Sequence, residues 1–212
     1  MVREPKQERA IRTKAVILRA AAEVFDEFGF SGASISKIMK RAGVTPGGMY
    51  FHFKSKEALA VEVMMAQADD LDLPRGEDGL QQLIDTTFDI AFELQTNTLL
   101  RAGVRLAVEQ GEFGVQDDRA YQAWADHFAQ QLRAARASGD LLPDVDEEEF
   151  ARILVGAYSG TQLFSQIASG RADLPDRIES LWRFLLPGIA TPEARARLSA
   201  TVPVRAVKPG RA

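Results

Sequence analysis

The residues best placed to do chemistry are not those of a catalytic site. His52 and His127 are the only histidines and there is no cysteine. Neither histidine stands in a metal-ligand or nucleophile spacing. Asp126 and His127 are adjacent, and on a helix they would point about 100° apart, so they form no dyad. Asp144 to Glu149 reads as a helix cap and a solvated face. The informative stretch runs from Val44 to Lys56, VTPGGMYFHFKSK, and its chemistry is polyanion binding. Thr45 accepts from the free N–H groups of a helix start and offers its hydroxyl to a base, and Pro46 suits the first helical position. Gly47 and Gly48 each cost up to ~1 kcal/mol in a helix relative to alanine, a cost that makes sense where a partner must approach the backbone. Tyr50 and His52 can donate to phosphate oxygens. Lys56, at the next helix start, adds its charge to unpaired N–H groups and the positive dipole end. Ser34 and Lys37 would reach the other phosphate rim. Phe51 and Phe53 are expected inside.

Charge supports a nucleic-acid partner. The net charge of −4 conceals 11 Lys/Arg against 5 Asp/Glu in residues 1–56, a local +6, while the rest of the chain carries −10. A basic head on an acidic body is the footprint of a polyanion binder, although solvated basic arms produce the same count.

The elements that hold these groups are helices. Apolar residues from Ala15 to Phe28 recur at helical spacing, from about Arg12 to the stop at Gly29. Ser34 caps a second helix with Ile35, Ile38 and Met39 inward, and Gly43 turns the chain into a short third helix capped by Thr45. This is a helix-turn-helix unit. Ser55 caps a fourth helix expected to reach about Leu71, and residues 72–79 form a turn-rich break. Helical patterning returns at about 80–95, 99–109, 118–138, 150–168 and 176–186, with a last short helix after Thr191. No alternating strand pattern of useful length occurs, so the fold is all-α. The domain plan is a helix-turn-helix domain at 9–55, a connecting helix at 56–72 and a larger domain at 79–201. Residues 1–8 and 202–212 are expected to be flexible, with the basic arm reaching a minor groove.

In the acidic body, Tyr121, Trp124 and Phe128 share a helix face continued by Gln131 and Leu132. Trp124 is either a core residue or a wall that stacks on a ligand ring. Thr161, Gln162 and Ser165 are polar groups in an apolar helix and need partners from neighbouring helices or from a ligand. Phe88, Phe92, Val104, Leu106 and Phe128 are candidate apolar lining. The helices at about 148–168 and 176–186 are the expected dimer surface, with Trp182 and Phe184 as anchors.

Ala15–Gly29, Ser34, Ile38, Ala42-Gly43-Val44, Tyr50-Phe51-His52-Phe53 and Lys56-Glu57-Ala58-Leu59 together resemble the DNA-binding domain of TetR-family regulators. The resemblance runs from about residue 9 to 64. It implies homodimers on palindromic double-stranded operators, released when a small-molecule effector in the C-terminal domain changes the spacing of the two heads. Leu99–Ala107, the Trp124 helix and Gly156–Gln162 are similar to the γ-butyrolactone receptor branch. That similarity implies a lactone- or furan-like signal and an effector cavity lined by Trp124. A pseudo-receptor or activator answering an antibiotic or intermediate is the nearest alternative, and a small helical enzyme or carrier is the more distant one. No cofactor or metal is implied. The N-terminus lacks the apolar core of a signal peptide, and no apolar run approaches the ~20 residues of a membrane span. The expected location is the cytoplasm, at the nucleoid when DNA is bound.

Overall fold

The computed structural model describes residues 6–68, 71 and 76–204. Among them lie ten α-helices in two compact units. The first unit comprises residues up to Leu71 together with Asn97–Ala120, and the second comprises Asp72–Thr96 and Tyr121 onward.

The first unit holds α1 (Lys6–Gly32), α2 (Ile35–Ala42), α3 (Pro46–His52), α4 (Lys56–Met65) and α6 (Thr98–Val108), with one-turn 3₁₀ segments at Ala66–Ala68 and Gln110–Phe113. Ser34, Thr45 and Ser55 each cap their helix by accepting from the backbone N–H three residues on. Such a cap is worth about 1 kcal/mol. Ile17, Ala21, Phe25, Ile38, Met49, Leu59, Val63 and Met64 are fully buried and form the core. The helix packed most extensively on α1 is α6, which also packs on α4. Local periodicity carries no sign of that long-range pairing.

Helix α1 differs from expectation at both ends. It is already helical at Lys6, where a flexible arm was expected, and the rest of that arm, residues 1–5, lies outside the described residues. At its other end it continues past Gly29 through a kink with φ 69° and ψ 180°, a region open essentially to glycine alone. Side chains replace the backbone bonds lost there. Arg105 Nη1 donates to Asp26 O at 2.8 Å, and Phe30 N donates to Glu109 Oε2 at 2.7 Å. Helix α4 stops at Met65, short of the expected Leu71.

The second unit holds α5 (Leu80–Thr96), α7 (Arg119–Ala137, mostly in this unit), α8 (Glu147–Ser169), α9 (Leu174–Ile189) and α10 (Pro192–Arg195). Asp146 caps α8 and Thr191 caps α10, both as the sequence indicates. Leu83, Ile84, Phe88, Leu94, Phe128, Leu132, Leu154, Ile178 and Trp182 build the core. Arg133–Glu148 and Arg136–Glu147 ion pairs tie α7 to the start of α8.

Candidate nucleic-acid interface and effector-binding residues

Helix α3 is built to be held on one side only. Met49 and Phe53 are buried, and with 3.6 residues per turn they lie about 40° apart on the face that packs against the head. On the same geometry Tyr50 and His52 fall about 80° to either side of that face, and Phe51 falls about 180° from it. Exposure agrees: Tyr50 is 54 % and Phe51 77 % exposed, and His52 is half-buried. The expectation that Phe51 packs inside is therefore wrong. Three consecutive aromatic or imidazole residues cannot share one helical face, and the inward positions are taken by Met49 and Phe53. Phe51 instead meets the His52 ring edge-on at 4.9 Å.

Gly47 opens the outer surface further. Apart from adjoining residues and the helix's own backbone, no atom would lie within 4 Å of a side-chain carbon placed there. The first turn of α3 thus offers bare backbone, flanked by the Thr45 hydroxyl, which caps Gly48 N at 3.3 Å.

The basic residues around α3 are less available to a partner than their count suggests. Lys56 Nζ donates to Phe30 O at 2.9 Å and Ala33 O at 3.2 Å, and it sits 4.0 Å from the Phe30 ring. It was expected to point at phosphates, yet two of its three donors fasten the α1–α2 junction. Lys37 Nζ donates to Gly32 O at 2.9 Å and lies over the Phe28 ring. Ser34 spends its hydroxyl oxygen on the cap of α2. Lys14 pairs with Glu62, and Arg41 pairs with Glu27. At α4, Ser55 accepts from Ala58 N and the Glu57 carboxylate accepts from its own N–H. What remains there for an anion is the leading N–H of the helix and the third Lys56 donor.

In the second unit, Trp124 and Phe128 lie with ring centroids 6.1 Å apart on α7, and His127 meets Trp124 edge-on at 6.4 Å. Trp124 is half-buried, whereas Phe128 and Phe88 are buried. The Nε2 atom of His127 is out of solvent and has no hydrogen-bond partner. Burial lowers the His127 pKa, opposed in part by the Asp78 carboxylate. In the sequence, only the three-residue spacing from Trp124 points to this histidine.

The polar groups of α8 find partners within the chain. Thr161 Oγ1 donates to Ala157 O at 2.8 Å. Gln162 Oε1 accepts from Arg171 Nη2 at 2.9 Å, and Ser165 Oγ donates to Asp173 Oδ1 at 2.5 Å. The bond from Arg177, followed by those from Ser165 and Ser169, holds the Asp173 carboxyl well below the usual range. Each of the three thus has a partner in its own helix or the following loop, one of the two sources the sequence leaves open, and Thr161 also borders a groove. Val104, also expected as lining, belongs to α6 in the first unit and is half-buried.

The dimer anchors divide as well. Trp182 is fully buried and donates Nε1–H to Thr87 Oγ1 at 2.8 Å, while Phe184, two residues on, is 77 % exposed. Phe164, Ile153, Leu163 and Ile167 on α8 are exposed too. Gly156, Gly160, Thr161, Phe164, Leu181 and Phe184 border an open groove of about 520 Å³ between α8 and α9.

Residues 17–63 match the profile described as bacterial regulatory proteins, tetR family, and residues 77–191 match the tetracyclin repressor-like C-terminal domain. The chain is 39 % identical over 193 residues to the A-factor receptor protein of Streptomyces griseus, spanning 91 % of this chain and 69 % of that one. Full-length native TylP, a TetR regulator from Streptomyces fradiae, has a similar solved structure, with a TM-score of 0.80 and 39 % identity over 92 % of this chain and 94 % of that one. A γ-butyrolactone receptor described as ArpA-like has a TM-score of 0.65 and 31 % identity, over 89 % and 93 % of the two chains.

Proposed function

Because the chain belongs to the TetR family of bacterial regulatory proteins, we propose that it is a homodimeric repressor which a small lactone- or furan-like molecule releases from a palindromic operator. Its work is DNA-binding regulation and not catalysis, and regulators of this family bind operators as dimers and respond to small molecules. The single observation that carries the reading is the one-sided anchoring of α3. Its buried Met49 and Phe53 leave a bare, glycine-bearing face for a major groove, which admits one helix.

Tyr50 and His52 flank that face and suit the two phosphate rims. Two such heads in a symmetric dimer match two half-sites about one helical turn or a multiple apart. The exposed apolar ridge of Ile153, Leu163, Phe164, Ile167 and Phe184 suits a second copy of this chain. The lactone-type effector is supported by the relatives named A-factor receptor and γ-butyrolactone receptor, and by Trp124 and His127 on α7. The site of action is the cytoplasm, at the nucleoid when DNA is bound. Among the described residues no helix is long and apolar enough to cross a membrane.

Gel shifts on the promoter of the protein's own gene, at graded salt and with lactones or furans added, test this directly. A salt-dependent shift abolished by one of these compounds is expected. No shift on any genomic fragment at low salt would overturn the repressor reading. A shift indifferent to all such compounds would overturn the effector class.

A further inference from the structure

Phe51 is the one side chain on α3 that the head does not need and water does not favour. It is 77 % exposed, it carries no hydrogen-bonding group, and it stands about 180° from the midline of the anchoring residues Met49 and Phe53. A helix seated in the major groove presents that outermost line to the base edges, while positions about 80° to either side, here Tyr50 and His52, face the sugar–phosphate walls. Gly47 lies one turn earlier on the same side of the helix, and the space a side chain would take there is open. Bare backbone beside a projecting phenyl makes a shallow apolar step. Among the groups displayed in the major groove, the C5-methyl of thymine is the apolar one.

We propose that Phe51 is a specificity-determining residue that reads a thymine methyl in each operator half-site, an assignment that rests on α3 being the DNA-reading helix. The ring supplies no charge, so its contribution adds to discrimination between bases and leaves the electrostatic part of binding untouched. His52, which meets the ring edge-on at 4.9 Å, positions it from the side.

The test uses the full-length protein and a duplex recovered by wild-type selection from a randomised pool. Failure to recover any duplex would sink the DNA-binding reading itself. With a duplex in hand, each thymine is replaced singly by deoxyuridine, which deletes only the methyl. Dissociation constants are then measured for wild type and Phe51→Ala at several salt concentrations. At one or two thymines per half-site the wild type is expected to lose about fourfold, the value of one buried methyl group. Phe51→Ala should bind the parent duplex more weakly and be indifferent to the same replacements, with an unchanged salt slope and melting temperature. Equal sensitivity of both proteins at every thymine overturns the proposal. So does wild-type affinity in Phe51→Ala, or a changed salt slope, which would make the ring a support for phosphate contacts.

Discussion

Arg105 Nη1 donates to the carbonyl oxygen of Asp26 at 2.8 Å, so a side chain of α6 completes the broken hydrogen-bond ladder of α1. Arg105 is itself braced by Glu109, 2.7 Å away, and Glu109 accepts from Phe30 N on the far side of the kink. Arg101 adds a forked bond to the Asp26 carboxylate at 2.7 and 2.9 Å. The first helix of the DNA-binding head is thus fastened to α6 by a row of charged groups. Replacing Arg105 with alanine should leave Asp26 O without this partner and cost about 1–2 kcal/mol, at the lower part of the range for charged bonds because the side chain is partly exposed. Lysine should rescue it only in part, since it lacks the planar fork. Chemical denaturation measures both.

Gly29→Ala should be more damaging than an exposed surface change. A side-chain carbon there would lie 2.5 Å from Arg105 Nη2, and φ of 69° is strained for alanine. The expected loss is roughly 1–3 kcal/mol, with operator affinity falling in parallel because α2 and α3 follow the kink. A wild-type denaturation midpoint in this variant would show that the kink is not required.

Lys56→Ala is expected to lower stability by about 1–2 kcal/mol, because Phe30 O and Ala33 O lose their donor. It should also weaken binding to all DNA sequences alike. The drop in salt slope should be smaller than the full unit given by a lysine spent wholly on phosphate. Melting curves together with salt-titrated binding separate the two effects.

Trp182 and Phe184 should respond in opposite ways. Trp182→Phe removes the Thr87 bond and leaves a void, with a cost of about 1–3 kcal/mol. Phe184→Asp should barely move the monomer's stability and should shift the protein toward monomers in sedimentation. If Trp182→Phe dissociated the dimer without loss of stability, the assignment of the two residues would be reversed.

Stability should fall in mild acid through His127. Burial lowers its folded pKa from 6.5, so the unfolded chain binds a proton more readily than the folded one. The stabilisation is complete above about pH 6.5 and is lost as pH falls from there through the lowered folded value. His127→Gln should flatten that part of the profile. Thermal melts from about pH 7.5 down to about pH 5 measure it.

The elements were legible because their signals are local. Ser34, Thr45, Ser55, Asp146 and Thr191 are caps in the sequence and caps in the fold. Side-chain direction within an element was less legible. Phe51 and Phe53 look alike in a string of aromatics, and only the 3.6-residue turn, counted from Met49, sends one outward. The same counting separates Trp182 from Phe184. Partners distant in sequence were not legible at all. Lys56 reaches back 26 residues to Phe30, and Arg105 reaches back 79 residues to Asp26. Which partners Gln162 and Ser165 take was likewise not legible, because the helix pattern does not show Arg171 and Asp173 folding back to meet them.

The apolar ridge on α8 and α9, as the proposed dimer surface, also sets how the regulator counts its own copies. Each chain exposes Phe164, Ile167 and Phe184, and on the pairing proposed above a second chain covers them before a two-fold site is gripped firmly. Below the concentration at which pairs form, operator occupancy rises with the square of the number of chains. A modest fall in synthesis then opens the gene more sharply than independent heads would allow. On that pairing, the threshold for expression is written in the apolar side of two helices far from the DNA-reading residues in sequence.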